Sequence, residues 1–188
     1  MEYILIAIAI IVAYLVLTYN QLIKLRESVR NDLKQIDIQL DRRWKVLQSL
    51  ISSVNKYLDY ESTVLKDVVA LRSQAQSAKE NGDMDNRVAA ENAISKIASG
   101  LNVMVENYPD LKGSDTVLKL MEEVVATENK LSFAKQAYND GSERFNAKIL
   151  SFPVNFIVGV FGDAFQSFSY WQLSSDDAKT KEDFVAKL

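Results

Sequence analysis

The chain opens with a continuous apolar run from Ile4 to Leu17, and no charged residue occurs between Tyr3 and Ile23. A helix of about 20 residues crosses a hydrocarbon core of about 30 Å, so this segment is long enough to span a bilayer. Tyr3 and Tyr19 stand near its two ends, where amphipathic aromatic rings favour the membrane interface. The pattern predicts a transmembrane anchor over residues 1–23.

A second pattern begins at Leu22 and continues for more than thirty residues without glycine or proline. Its apolar positions recur in steps of three and four, which is typical of the packed face of a helix. We therefore expect the anchor to continue into a stalk-like first helix of the body. These positions are Leu22, Leu25, Val29, Leu33, Ile36, Leu40, Trp44, Leu47, Ile51, Val54 and Leu58.

Turn signals divide the rest of the chain into further helical segments. Breaks are predicted at 59–62, at 81–83 and before Pro109, and Ser114 or Asp115 is a candidate N-cap of the fourth helix. The predicted fold class is all-α: an N-terminal transmembrane helix continues into an antiparallel four-helix-bundle-like domain over 24–152. A C-terminal amphipathic helix over 153–171 and a polar tail over 172–188 follow.

The segment after Pro153 is apolar on one helical face and rich in phenylalanine. Pro153 disfavours a continuing helix but suits the first turn of a new one. The apolar face predicts contact with lipid or with another subunit, and packing on the bundle is the structural alternative. The residues of this face are Val154, Ile157, Val158, Phe161, Phe165 and Phe168.

Composition removes several kinds of chemistry. The chain has no histidine and no cysteine, which excludes thiol nucleophiles, histidine bases and Cys/His zinc sites, and we expect no enzyme activity, cofactor or metal. The net charge of −3 gives no reason to expect nucleic-acid binding.

A cleaved signal peptide requires a basic region before the apolar run and small residues after it, and both are missing here. Lys24, Arg26 and Arg30 follow the anchor, so the positive-inside rule favours a cytoplasmic body.

Charged residues near the helix seams suggest a polar network inside the bundle. Extending the apolar steps of the fourth helix reaches Glu128, and a carboxylate on such a stripe must be paired or protonated. Arg42 or Arg43 is its expected partner, with an anionic-ligand notch as the functional alternative. The predicted network comprises Asp37, Arg42, Arg43, Glu128, Asn129, Tyr138 and Asn139.

Short motifs in order along the chain carry a family resemblance. They are Tyr19-Asn20, Val29-Arg30-Asn31, the run 35–43 (QIDIQLDRR), the run 106–112 (ENYPDLK), Thr127-Glu128-Asn129, Tyr138-Asn139-Asp140 and Phe152-Pro153. Together they resemble the LemA family from Tyr19 to about Phe168. The resemblance implies a bacterial membrane-anchored helical bundle and no particular reaction. The pair Gly141-Ser142 departs from the family pattern and should loosen the fourth helix.

The resulting functional hypothesis is a non-enzymatic scaffold or membrane-organising protein in the bacterial cytoplasmic (inner) membrane. It would pass the bilayer once and self-associate through the anchor, the stalk and the Phe-rich segment. The alternative is an accessory or adaptor subunit of a membrane enzyme, such as a membrane protease. The partners expected are therefore the lipid bilayer, further copies of the chain and, in the alternative, another membrane protein. A ligand sensor using the Arg42-Arg43 notch is a third reading.

Overall fold

The computed structural model describes residues 1–56, 63–161 and 164–172. These residues form six helices: α1 Glu2–Val54, α2 Thr63–Glu80, α3 Met84–Asn107, α4 Pro109–Lys112, α5 Asp115–Leu150 and α6 Val154–Val160. No strand occurs within these ranges. The all-α prediction is therefore confirmed.

The long first helix follows directly from the sequence. With neither glycine nor proline to interrupt it, α1 continues from the apolar run into the body, as predicted. Its N-terminal window has a mean hydropathy of 2.2 and is only 6% buried. A core helix of a soluble protein would be covered by its neighbours, so this exposure is what a lipid-facing helix requires.

The later helix boundaries also agree with the turn signals. α2 and α3 pack together and are joined by residues 81–83, where Gly82 adopts a positive φ of 71°. Asp83 caps α3 by accepting a hydrogen bond from the Asn86 backbone N–H at 3.1 Å. Pro109 ends α3 and starts the short α4, which the sequence did not predict. The predicted turn at 59–62 lies outside the described residues.

The helices form two compact units. Unit 1 contains Met1–Asp37 and Phe133–Tyr170, and unit 2 contains Ile38–Ser132 and the chain from Trp171. The sequence-based division at residues 23, 152 and 171 stays a prediction. Only Gln172 of the predicted polar tail lies among the described residues.

Each unit has its own apolar core. In unit 2 the core joins residues of α1, α2, α3, α4 and α5, with Leu47, Val68, Ile94, Leu111 and Val117 among them. Trp44, which the apolar pattern of the first helix placed in the core, packs against this core and is half-buried. The fully buried apolar side chains of unit 1 include Leu22, Val29, Ile36, Phe145 and Phe165.

The helix α5 continues through Gly141, where the sequence indicated a weak point. A Cβ at this position would lie 3.1 Å from Asp32 Oδ2 and 3.4 Å from Val29 Cγ2, both on α1. The missing side chain therefore allows α1 and α5 to approach closely within unit 1. Ser142, the other residue of that pair, is fully buried.

The C-terminal helix is shorter than predicted. α6 ends at Val160, and residues 165–172 have no regular secondary structure. Gly159 lowers helix propensity near that end. The Asn146 side-chain amide donates a hydrogen bond to Phe168 O and accepts one from the Phe168 backbone N–H, both at 2.9 Å. The Tyr138 hydroxyl donates to Ser169 O at 2.7 Å. Side chains of α5 thus satisfy backbone groups that a longer helix would have paired internally.

Candidate functional site

A buried ion-pair cluster in unit 2 is centred on Arg43 of α1, whose side chain is 1% exposed. Its guanidinium donates to Glu91 of α3, which is 2% exposed, and to Ser95 Oγ at 2.6 Å. It also reaches Glu128 Oε1 of α5 at 3.3 Å, and that side chain is 30% exposed. One arginine therefore joins three helices.

The cluster extends outward to α2. Arg72 Nη1 lies 3.5 Å from Glu91 Oε1, and its Nη2 donates to Asp41 on α1. Two guanidinium groups thus alternate with three carboxylates. Because taking a lone charge out of water is expensive, Arg43 and Glu91 can both be buried only in each other's presence. The arrangement stabilises the packing of unit 2 and aligns its helices.

The residues of the predicted network lie in both units. In unit 2, Arg43 Nη1 lies 3.3 Å from Glu128 Oε1, and Glu128 is half-buried, whereas the sequence placed it on a buried stripe. Arg42 instead forms an exposed pair with Glu123, with Nη2 2.8 Å from Oε1. Asn129 is exposed on α5.

The remaining network candidates lie in unit 1. Tyr138 is buried there and its hydroxyl bonds to Ser169, while Asp37 and Asn139 are half-buried. Their predicted role was inferred from sequence order alone. Residues close in sequence to a charged stripe can still fall in a different structural unit.

Sequence reasoning missed Glu91, Ser95 and Arg72. The signal for Glu91 was available: from Arg87 the steps of four, three and four lead through Glu91 and Ile94 to the core residue Ala98. The same stepping had identified Glu128. Arg43 occupies the core position that the apolar pattern assigned to its neighbour Trp44. The pattern favoured Trp44 because an arginine is not expected on an apolar face.

An apolar groove lies in unit 1 between α1 and α6. Its volume is about 690 Å³, and it is lined by Leu15, Val16, Tyr19, Asn20, Phe156, Ile157, Val160 and Phe161. The Tyr19 ring meets the rings of Phe161 and Phe165 edge-on, with centroids 5.3 and 5.5 Å apart. These contacts place the C-terminal segment against the end of the predicted anchor.

The predicted apolar face of this segment faces inward for the most part. Val154, Ile157 and Phe165 are buried in unit 1, and Val158 and Phe168 are half-buried. Of the six residues, Phe161 alone is exposed. The outward surface is formed instead by Phe152, Phe156 and Val160, which recur every fourth residue. The face predicted for lipid or subunit contact therefore packs mostly within unit 1, and the opposite face is exposed.

A second groove lies on α5 in unit 2. It has a volume of about 460 Å³ and is lined by Leu118, Met121, Glu122, Val125, Ala126 and Asn129. The apolar members Leu118, Met121 and Val125 follow steps of three and four, which is the spacing of a helix-packing seam. Leu118 and Val125 remain exposed.

Among the described residues, two carboxyl groups have pKa values that depart from their ordinary ones. Burial raises the pKa of Asp32, and the Arg144 guanidinium partly opposes that rise. The backbone and side-chain hydrogen bonds from Asn86 hold the pKa of Asp83 below its usual value. Asp83 thus serves as a helix cap, and within the described residues no group of three acidic side chains has metal-binding geometry.

The exposed apolar part of α1 and the helical body define a membrane-associated, all-helical protein. The LemA family model matches residues 32–184, so the chain belongs to the LemA family. It is 28% identical to Protein LemA of Metamycoplasma hominis, over 72% of this chain and 61% of that relative's length. It is also 18% identical to the magnetosome proteins MamQ 1 and MamQ 2 of Paramagnetospirillum magneticum, over 86% of this chain and 67% of theirs.

Proposed function

We propose that this protein is a non-enzymatic membrane scaffold that self-associates through the exposed seam of α5. The observation that supports the proposal is the apolar groove at Leu118, Met121 and Val125, of which Leu118 and Val125 are exposed in unit 2. Apolar side chains at helix-packing spacing gain free energy when a partner covers them.

A second copy of the same chain fits the charges around this seam. Lys119 and Glu122 are both exposed beside the apolar positions, one turn apart. When two identical helices meet antiparallel across a twofold axis, each surface faces its own copy in reverse. A seam that carries both signs of charge can then match positive to negative groups on its partner. The surface is therefore suited to pairing with itself.

The charged cluster supports a structural rather than a catalytic role. Arg43 and Glu91 are buried and engage each other, so neither presents a free charge to a substrate. Glu123, a residue that could have joined a surface acidic site, is paired with Arg42. A catalytic site instead needs a titratable group positioned in a cleft beside its reacting partner.

The proposed location is the bacterial cytoplasmic membrane, crossed once by α1, with the body on the cytoplasmic side. Lys24, Arg26 and Arg30 follow the apolar segment, and basic residues next to a membrane helix favour the cytoplasmic face. Two relatives are named as magnetosome proteins, which adds modest support for a role in organising membranes.

Size measurement of the full-length protein in mild detergent tests this proposal. We expect the wild type to be a homo-oligomer and Val125→Lys to be reduced to monomers, because a charge would have to be buried in the seam. Val69→Lys is the matched control: Val69 is 46% exposed on α2, against 48% for Val125. A monomeric wild type, or equal effects of both substitutions, would contradict the proposal. A small particle that co-purifies with another membrane protein would instead favour the adaptor function.

A further inference from the structure

The residues that line the groove between α1 and α6 show where it lies along the anchor. Leu15 and Val16 belong to the anchor, four and three residues before the interfacial Tyr19, so they lie about 4–6 Å deeper in the bilayer than that ring at 1.5 Å per residue. Val160 and Phe156 line the same groove from the other side. If the anchor spans the bilayer, these α6 residues lie at membrane depth as well.

The chemistry of α6 suits that depth. No charged residue occurs from Ser151 to Phe161, and the outward side chains Phe152, Phe156 and Val160 are all apolar and exposed. Backbone groups in hydrocarbon must be paired within the protein, and a seven-residue helix leaves groups of its first and last turns without helical bonds, so α6 suits the outer part of the leaflet rather than its centre. An aqueous location would leave these three large apolar side chains in water.

The size and lining of the groove indicate its occupant. A volume of about 690 Å³ falls within the usual range of small-molecule sites, and every lining residue except Asn20 is apolar or aromatic. An acyl chain matches this apolar lining, and the bilayer around the anchor supplies acyl chains at high local concentration.

We propose that this groove binds an acyl chain of a bilayer phospholipid, with α6 inserted in the leaflet as the second wall. This inference concerns the membrane-facing part of unit 1 and does not depend on the α5 seam. The protein would then hold the membrane both by a spanning helix and by a short helix inserted in the same leaflet. A bound lipid would fill the space that the two helices leave between them.

The first test measures the depth of α6 with brominated phosphatidylcholine, whose chain bromines quench nearby tryptophan emission. Trp44 and Trp171 are replaced by phenylalanine in the full-length chain, and Phe156→Trp is the reporter. Phe133→Trp is the control, because Phe133 is 72% exposed, against 67% for Phe156, and lies about 25 Å along α5 from Leu150. We expect severalfold stronger quenching at position 156. Equal quenching at the two positions would overturn the proposal.

The second test fills the groove. Val16→Trp and Val160→Trp each place an indole inside it from opposite walls, whereas Leu17→Trp adds the same bulk on the other side of the anchor helix. Excluding even two methylene groups of a chain should lower phospholipid retention about tenfold, as measured by native mass spectrometry of the detergent-purified protein. Retention unchanged in both filling variants would overturn the proposal. A fall in oligomer size with unchanged lipid would also overturn it, since a second copy would then be the occupant.

Discussion

Replacing Glu91 by glutamine should destabilise unit 2 strongly, because this carboxylate supports two arginines. Glu91 is 2% exposed and pairs with both Arg43 and Arg72. Removing one partner of a buried ion pair costs about 3–5 kcal/mol, since the remaining charge stays out of water. Glu128 is still within reach of Arg43, so we expect a loss near the lower end, about 3 kcal/mol.

The matched control is Glu123→Gln on the exposed pair with Arg42. Exposed ion pairs contribute about 0–1 kcal/mol, so this variant should unfold almost like the wild type. Denaturant unfolding of the full-length protein in mild detergent, followed by the fluorescence of Trp44 beside Arg43, measures both. In a thermal scan, 3 kcal/mol corresponds to a Tm lower by about 6–12 °C for a chain of this size.

A double-mutant cycle separates ion pairing from shape. Adding Arg43→Met to Glu91→Gln removes the uncompensated cation, so the double variant should lose less stability than the two single variants summed. If Glu91→Gln lies within about 1 kcal/mol of Glu123→Gln, the buried cluster does not contribute as the structure implies, and the reasoning from burial is wrong.

Three further predictions concern other parts of the chain. Gly141→Leu should destabilise unit 1 by about 1–3 kcal/mol through crowding against α1. Gly100→Leu, with no atom within 4 Å of its Cβ, should instead be stabilised by up to about 1 kcal/mol, because leucine favours the helix. The raised pKa of Asp32 means that ionisation opposes folding, so Asp32→Asn should stabilise the protein at pH 7 in denaturant titrations. That gain should shrink as the pH falls through the raised pKa toward the ordinary value of 3.8, and a gain independent of pH would contradict it. Alkaline carbonate washing should leave the protein in the membrane, and release into the wash would refute anchoring by residues 3–23.

The all-helical fold and most helix boundaries could be predicted because they depend on local sequence signals. The absence of glycine and proline determines α1, and Pro109 determines the end of α3. The pairing of Arg43 with Glu91 depends on the rotation of α1 against α3, which no local pattern specifies. An arginine also reads as a surface residue until its partners are known.

The C-terminal segment shows a different limit. Its helical periodicity was real, but the Asn146 side chain, far back in the sequence on α5, bonds to the backbone of Phe168. Such a contact can replace helical hydrogen bonds without leaving a trace in the local sequence. Periodicity predicted which residues share a face of the helix, whereas tertiary contacts determine which face packs against the protein.

The packing of Tyr19 against Phe161 and Phe165 has a practical consequence for preparing this protein. A truncated chain that starts at Leu22 would remove the apolar anchor and also the ring that covers these two phenylalanines. Phe161 and Phe165 would then meet water in addition to the outward Phe152 and Phe156, which enlarges the exposed apolar surface. Patches of this kind promote aggregation, so such a fragment should precipitate or capture detergent even though its hydropathy is low. Deleting the membrane segment is therefore a poor route to a soluble form of the body.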